Sequence, residues 1–197
     1  MGLTTHPHVK EAAIKAIEKY GTSCSGSRFL TGTIDLHETM EARIAKFLGK
    51  EAALLFSTGY QTGQGVISSL VSRGEYILSD KDNHASIVAG NQLAASKNIT
   101  VLRYKHNDMA DLKRRLQQLE PGSNALVATD GVFSTFGTIV ELDRVTQLCK
   151  HYGANLIVDD AHAFGVIGEG GKGTGHHFGV EDDVDLIICT LVKHWPP

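Results

Sequence analysis

The stretch Leu156-Ile157-Val158-Asp159-Asp160-Ala161-His162 decides the fold. A short run of aliphatic residues ends abruptly in two carboxylates and an imidazole. Such a run fits a strand buried on both faces, as in a parallel sheet covered by helices. In an open α/β sheet, ligands bind outside the carboxyl ends of the strands. A carboxylate at that place can hold a cationic ring nitrogen, and His162, three residues on, can reach a neighbouring oxygen. Asp is also a common helix N-cap, so the stretch alone leaves both uses open.

To either side, apolar β-rich segments alternate with helical periods. Helices are expected over residues 5–20, 35–48, 60–70, 85–95, 109–119 and 142–152. Strands are expected over 52–56, 76–79, 100–104, 125–129, 155–158 and 184–188. Pro7 in a first turn, Asp35 as a cap, and Gly21 and Gly49 as stops bound the first two helices. Strands alternating with helices imply βαβ crossovers. The expected class is α/β: a mostly parallel sheet with helices on both faces.

Composition narrows the functions. The 197 residues suit one ordinary domain or the larger part of one. Hydrophobic residues make up 42% and charged residues 21%, enough apolar material for a core. The net charge of −3, without a long run of one sign, argues against nucleic acid or an anionic membrane as main partner. No apolar stretch reaches the ~20 residues of a membrane span. The first residues have neither the basic nor the apolar region of a secretion signal. Cys24, Cys149 and Cys189 lie far apart and form no C-x-x-C pair, which fits a reducing cytoplasm better than a disulfide framework. The histidines are scattered, and the adjacent His176 and His177 would face opposite ways on a strand, so no metal site is expected.

The candidate functional residues fall just after strands. Ser57-Thr58-Gly59-Tyr60 follows one apolar run, and a glycine opening a helix lets backbone N–H groups approach a phosphate. His84, after Asp80-Lys81-Asp82-Asn83, can stack on a planar group or sit in the first turn of a helix. Ser134, in Thr129-Asp130-Gly131-Val132-Phe133-Ser134, can donate to a phenolic oxygen or be an ordinary loop residue. Thr190-Leu191-Val192-Lys193 follows the last strand, and a Lys there can form a Schiff base. Most lysines are merely solvated. A nicotinamide fold would want G-x-G-x-x-G, and Gly63-Gln64-Gly65 lacks the third glycine. A phosphate cradle, a flat stacking group, a hydroxyl, an Asp/His pair and a Lys together suit pyridoxal phosphate, whose pyridine nitrogen needs an acidic partner to stay protonated.

Several segments carry a family resemblance: residues 21–33 (Gly-Thr-Ser-Cys-Ser-Gly-Ser-Arg-Phe-Leu-Thr-Gly-Thr), Phe56-Ser57-Thr58-Gly59-Tyr60, His84-Ala85-Ser86-Ile87, Thr129 to Ser134, Val158 to His162 and Asp182 to Ile187. In this order they resemble the α-oxoamine synthases, fold-type I pyridoxal phosphate enzymes. The resemblance implies that His84 stacks on the pyridine ring and meets the substrate carboxylate, and that Asp159 pairs with the ring nitrogen. It implies His162 and Ser134 around the phenolic oxygen, Gly59, Tyr60 and Thr190 on the phosphate side, and Lys193 as Schiff-base lysine and catalytic base. The implied reaction is a decarboxylative condensation of an amino acid with an acyl-CoA. The preferred amino acid is L-serine, as in the branch that begins sphingolipid synthesis. The glycine-using branches and the one making 8-amino-7-oxononanoate are the alternatives. A homodimer is implied for the full-length form.

The same resemblance implies a domain plan: 1–33 an N-terminal helix and Gly/Ser-rich segment, 34–193 an incomplete cofactor-binding large domain, and 194–197 an aberrant tail, with a C-terminal small domain absent. The segment around Lys193 reads Thr-Leu-Val-Lys-His-Trp-Pro-Pro where the family has Thr-Phe-Ser-Lys followed by small residues. Loss of one T from a TTT codon would produce that change, so the tail is expected to be a frameshift product. The chain is expected to be a fragment, either inactive by itself or a pseudoenzyme. Sequencing the gene and its downstream DNA checks this: a family-like C-terminal domain is expected in another frame beyond residue 197, and its absence would refute the frameshift.

Overall fold

The computed structural model describes residues 3–191 and 193. The expected tail, 194–197, lies outside the described residues. The chain divides into two compact units, 1–55 and 56–197.

In the first unit, α1 (Pro7–Tyr20) buries no residue, and α2 (Asp35–Leu48) buries Ile44, Ala45 and Leu48. Asp35 is the first residue of α2 rather than its cap; the ring of His37 accepts the Ile34 N–H at 3.1 Å instead. The strand expected over 52–56 does not form. Its Leu55 is held by side chains: Glu41 Oε1 accepts the Leu55 N–H at 2.7 Å, and Arg28 Nη1 donates to the Leu55 carbonyl at 3.1 Å. Arg28 and Glu41 pair with each other at 2.8 Å. With its amide and carbonyl so occupied, Leu55 has no need of a neighbouring strand.

The second unit is built on a five-stranded parallel sheet. Its strands are β1 (Tyr76–Asp80), β2 (Thr100–Tyr104), β3 (Ala125–Asp130), β4 (Asn155–Asp159) and β5 (Leu186–Ile188), in the order β2-β1-β3-β4-β5. The helices are α3 (Gly59–Leu70), α4 (Ala85–Ser96), α5 (Met109–Leu116), α6 (Leu142–Tyr152) and the short α7 (Thr174–Phe178). The α/β class and the parallel sheet are as the sequence pattern predicts. The helix expected to reach 119 stops at Leu116, and the last strand starts at Leu186 rather than at 184.

Alternation along the strands sorts the core into two layers. Leu78, Val127, Leu156 and Val158 pack with Met109, Leu112 and Leu116 of α5 and Leu142, Val145 and Cys149 of α6. Ile77, Leu126, Ala128, Ile157 and Ile188 pack with Ile67 of α3 and Ile87 and Ala94 of α4. By the same alternation, Asp130 and Asp159 fall on the α3/α4 side. They are register partners at the ends of β3 and β4. Among the described residues, no helix is long and apolar enough to cross a membrane.

A polar clamp holds the segment after β4. Asp160 is 1% exposed, and its carboxylate accepts from the Thr174 hydroxyl at 2.6 Å and the Thr174 N–H at 2.8 Å. Gly131, just past β3, lies so close that a Cβ there would collide with the Asp160 carboxylate and with Thr174 Oγ1. Gly131→Ala should therefore lower stability by about 1–3 kcal/mol, the usual cost of overpacking a rigid site. Urea unfolding measures it; an unchanged midpoint would show that the clamp can yield.

Candidate active site

A cavity of about 220 Å³ opens at the carboxyl end of the sheet, on the α3/α4 side. Gly59, Tyr60, His84, Asp130, Asp159, His162, Thr190 and Lys193 are among its lining residues, together with Ser86 and Cys189. Seven of these are among the eight positions singled out from the sequence. The eighth, Ser134, stands exposed in the turn after β3 and does not line the cavity.

Each wall has a local cause. Thr58 caps α3, its hydroxyl accepting the Gln61 N–H at 3.1 Å, which brings the start of that helix to the cavity with its amides unpaired by the helix itself. Gly59 keeps this end open: a Cβ there would be 4.0 Å from Thr190 Oγ1. Tyr60 meets His84 edge to face, with ring centroids 6.5 Å apart. His84 is itself the cap of α4. Lys193 Nζ lies 2.6 Å from His162 Nε2, within reach for proton exchange.

Asp159 is buried, and the Ala161 N–H donates to it at 3.0 Å. Burial raises its pKa, while His84, Lys193 and His162 oppose the rise by their charge. A carboxylate in this condition is stabilised by a cation placed against it. Beside it, burial and the Asp159 charge push Asp130 up to about 7, although the His84 N–H at 3.2 Å favours its ionised form. Burial also pushes the Cys189 thiol up to about 11, which keeps it protonated and a poor nucleophile at neutral pH.

Asp130, Asn83 and Ser86 lie inside the sequence motifs without standing out as site residues. Asp130 ends its apolar run just as Asp159 does, and that parallel was the available signal. Asn83 is buried and ties two strands together: it donates to the Ala128 carbonyl at 2.8 Å and to Ser79 Oγ at 2.9 Å, and accepts the Asp130 N–H at 2.9 Å. Nothing in the sequence separates such an Asn from an ordinary turn residue.

The sequence pattern of the family described as "Aminotransferase class I and II" matches residues 2–194. The chain belongs to this family. It is 50% identical over 193 residues to a serine palmitoyltransferase of Sphingobacterium spiritivorum, covering 98% of this chain and 48% of that protein. It is 46% identical over 193 residues to an 8-amino-7-oxononanoate synthase of Geobacter sulfurreducens, covering 98% of this chain and 49% of that protein. The solved serine palmitoyltransferase of S. paucimobilis, with bound PLP and myriocin, superposes with a TM-score of 0.92 at 38% identity, covering 96% of this chain and 47% of that one. The chain thus spans about half the length of the relatives it matches. Both curated relatives are α-oxoamine synthases, as the motifs implied, and the family's cofactor is pyridoxal phosphate.

The raised Asp130 carboxyl has a consequence for stability. Between its ordinary value of 3.8 and about 7, the folded chain holds a proton that the unfolded chain has released. Stability therefore falls as pH rises through that window. Asp130→Asn is neutral throughout and should remove this share. The variant should gain on the wild type by on the order of 4 kcal/mol between about pH 4 and pH 8, about 1.4 kcal/mol for each pH unit of the window. Thermal unfolding at the two pH values reads the gain; parallel pH dependences would show that Asp130 titrates alike in both states.

Proposed function

We propose that this chain carries the pyridoxal phosphate site of an acyltransferase that condenses L-serine with a long-chain acyl-CoA, the serine palmitoyltransferase reaction. One observation carries the reading: Lys193, His162, Asp159, His84 and Thr190 line a single cavity at the strand ends of a chain 50% identical to a serine palmitoyltransferase. Residues 34–193 form the cofactor-binding domain in this reading. The amino acid and the acyl-CoA are the partners, the active form is a homodimer, and the compartment is the cytoplasm.

The residues suit the cofactor. Asp159 is a buried carboxylate whose own surroundings favour a cation, which fits a protonated pyridine nitrogen. Thr190 Oγ1 and the amides at the start of α3 offer hydrogen bonds and a positive helix end to a phosphate. When bound, pyridoxal phosphate supplies an electron-withdrawing ring that stabilises negative charge at the amino acid Cα. Asp159 keeps the ring nitrogen protonated. Lys193 in its neutral form takes the proton from Cα, and His162 at 2.6 Å exchanges protons with Lys193 Nζ. His84 flanks the same space and can receive the substrate carboxylate. Ser134 stands in an exposed turn and is not among the residues lining this cavity, and the role at the phenolic oxygen implied for it by the family stays a proposal.

The choice of L-serine rests on the identities: 50%, 49%, 48% and 46% to four serine palmitoyltransferases, against 46%, 45%, 45% and 46% to four 8-amino-7-oxononanoate synthases. Glycine C-acetyltransferase chemistry is the further alternative. In cofactor-loaded protein, L-serine should perturb the visible cofactor spectrum at lower concentration than glycine does. The reverse order would move the assignment to a glycine-using branch.

Two variants test the site. Borohydride reduction after loading with pyridoxal phosphate should leave the cofactor's mass on the peptide containing Lys193, and Lys193→Ala should abolish the label; label on another lysine would sink the assignment. Asp159→Asn should lower turnover of the whole protein by about 100-fold or more, since it removes the charge that holds the ring nitrogen protonated. Near-normal turnover with cofactor bound would remove Asp159 from that role.

A further inference from the structure

His84 has two ring nitrogens, and the structure distinguishes them. Nδ1 receives the backbone N–H of Ser86 at 3.3 Å, the bond that caps α4. A backbone N–H can only donate. Nδ1 is therefore the bare, accepting nitrogen, and the ring proton of the neutral imidazole sits on Nε2. The Ser86 hydroxyl lies 2.8 Å from the same Nδ1. With Nδ1 an acceptor, the hydroxyl donates and shares the one lone pair with the backbone N–H, the hydroxyl being the shorter of the two contacts. Nε2 has no hydrogen-bond partner among the described residues, and the residue that bears it lines the cavity.

Packing keeps the hydroxyl there. Ser86 is 1% exposed. It is wedged against α3 at Gly63, where a Cβ would come within 2.7 Å of Ser86 Oγ and 2.9 Å of Ser86 Cβ. The missing side chain at 63 makes the room in which Ser86 sits. A second tie holds the backbone of His84: its N–H donates to Asp130 Oδ1 at 3.2 Å, while the Asp130 N–H donates to Asn83 Oδ1 at 2.9 Å. The ring is thus fixed at its root by β3 and at Nδ1 by Ser86.

We propose that Ser86, seated against Gly63, is a positioning residue that fixes His84 in the tautomer with its proton on Nε2, so that the imidazole presents a hydrogen-bond donor to the cavity. The tautomer stands on this chain's geometry alone. Its use, a donor for an anionic group of the substrate such as a carboxylate, rests on the reading of the cavity given above.

The test is a two-bond 1H–15N correlation spectrum of the 15N-histidine-labelled 197-residue chain without cofactor, at alkaline pH where imidazoles are neutral. His84→Gln identifies the His84 signals by their loss. The wild type should show Nδ1 as a bare nitrogen and Nε2 as a protonated one. Ser86→Ala keeps the backbone N–H at 3.3 Å but removes the shorter hydroxyl contact, so it should move both resonances part of the way toward the average of two exchanging tautomers, and Ser86→Cys, which keeps a weak donor, should move them less. A wild-type spectrum with the proton on Nδ1 overturns the proposal, as does a Ser86→Ala spectrum identical to wild type. Should Ser86→Ala fail to fold, Ser86→Cys decides the role of the hydroxyl: an unaltered tautomer there counts against it. Pyridoxal phosphate added to the same samples separates the two levels. A wild type with the expected tautomer that binds no cofactor would overturn the functional reading and leave the role of Ser86 standing.

Discussion

Two carboxylates side by side at the dry end of a parallel sheet are the constraint to which the rest of the site answers. Parallel register sets Asp130 of β3 opposite Asp159 of β4, and alternation sends both to the face covered by α3 and α4. Burying one carboxylate is costly, and burying two together is more so. Several nearby groups contain that cost, although the Asp80 charge adds to it at Asp130. Ala161 and His84 give backbone N–H groups to the pair, and the Lys193–His162 pair beside it counters the rise in the Asp159 pKa. The result is a pocket that holds Asp130 near neutrality and leaves Asp159 in want of a cation. A fold with no use for such a cation would gain stability by replacing either residue.

Holding charges in so small a space requires rigid surroundings, and here they are polar rather than apolar. Asn83 joins β1 to β3 through three hydrogen bonds, and Asp160 joins the segment after β4 to Thr174. Buried hydrogen bonds of this kind favour one arrangement, since a shift leaves a buried polar group unpaired. The two glycines that matter most are explained by the same crowding. Gly131 makes room for the Asp160 carboxylate, and Gly63 makes room for Ser86. The crowding around His84 and Asp160 thus passes outward into residue choices one layer away.

Legibility differed by residue for physical reasons. The strands around Ile77, Val127 and Ile157 were readable because burial on both faces demands unbroken apolar runs. Residues 52–56 carry a similar apolar run and form no strand. Their outcome turned on Arg28 and Glu41, which take up the Leu55 backbone groups from 27 and 14 residues away. Local pattern holds no record of such distant partners. Ser134 was singled out through a motif, yet it stands in an exposed turn, because a loop residue's orientation is set by its turn and not by its neighbours in sequence. Asp130 was passed over although it ends a strand as Asp159 does.

By itself, the sequence determined the α/β class, the alternation of strands and helices, and the placing of Asp159, His162, His84 and Lys193 at or just past strand ends. Periodicity and strand-end chemistry are local properties, and a single chain displays them. Only the tertiary structure decided which of those ends face one cavity, that Asp130 shares it with Asp159, and which nitrogen of His84 carries the proton. Those outcomes depend on strand order, register and the packing of Gly63 against Ser86. They are relations between residues far apart in the chain, and they exist only once the sheet has assembled.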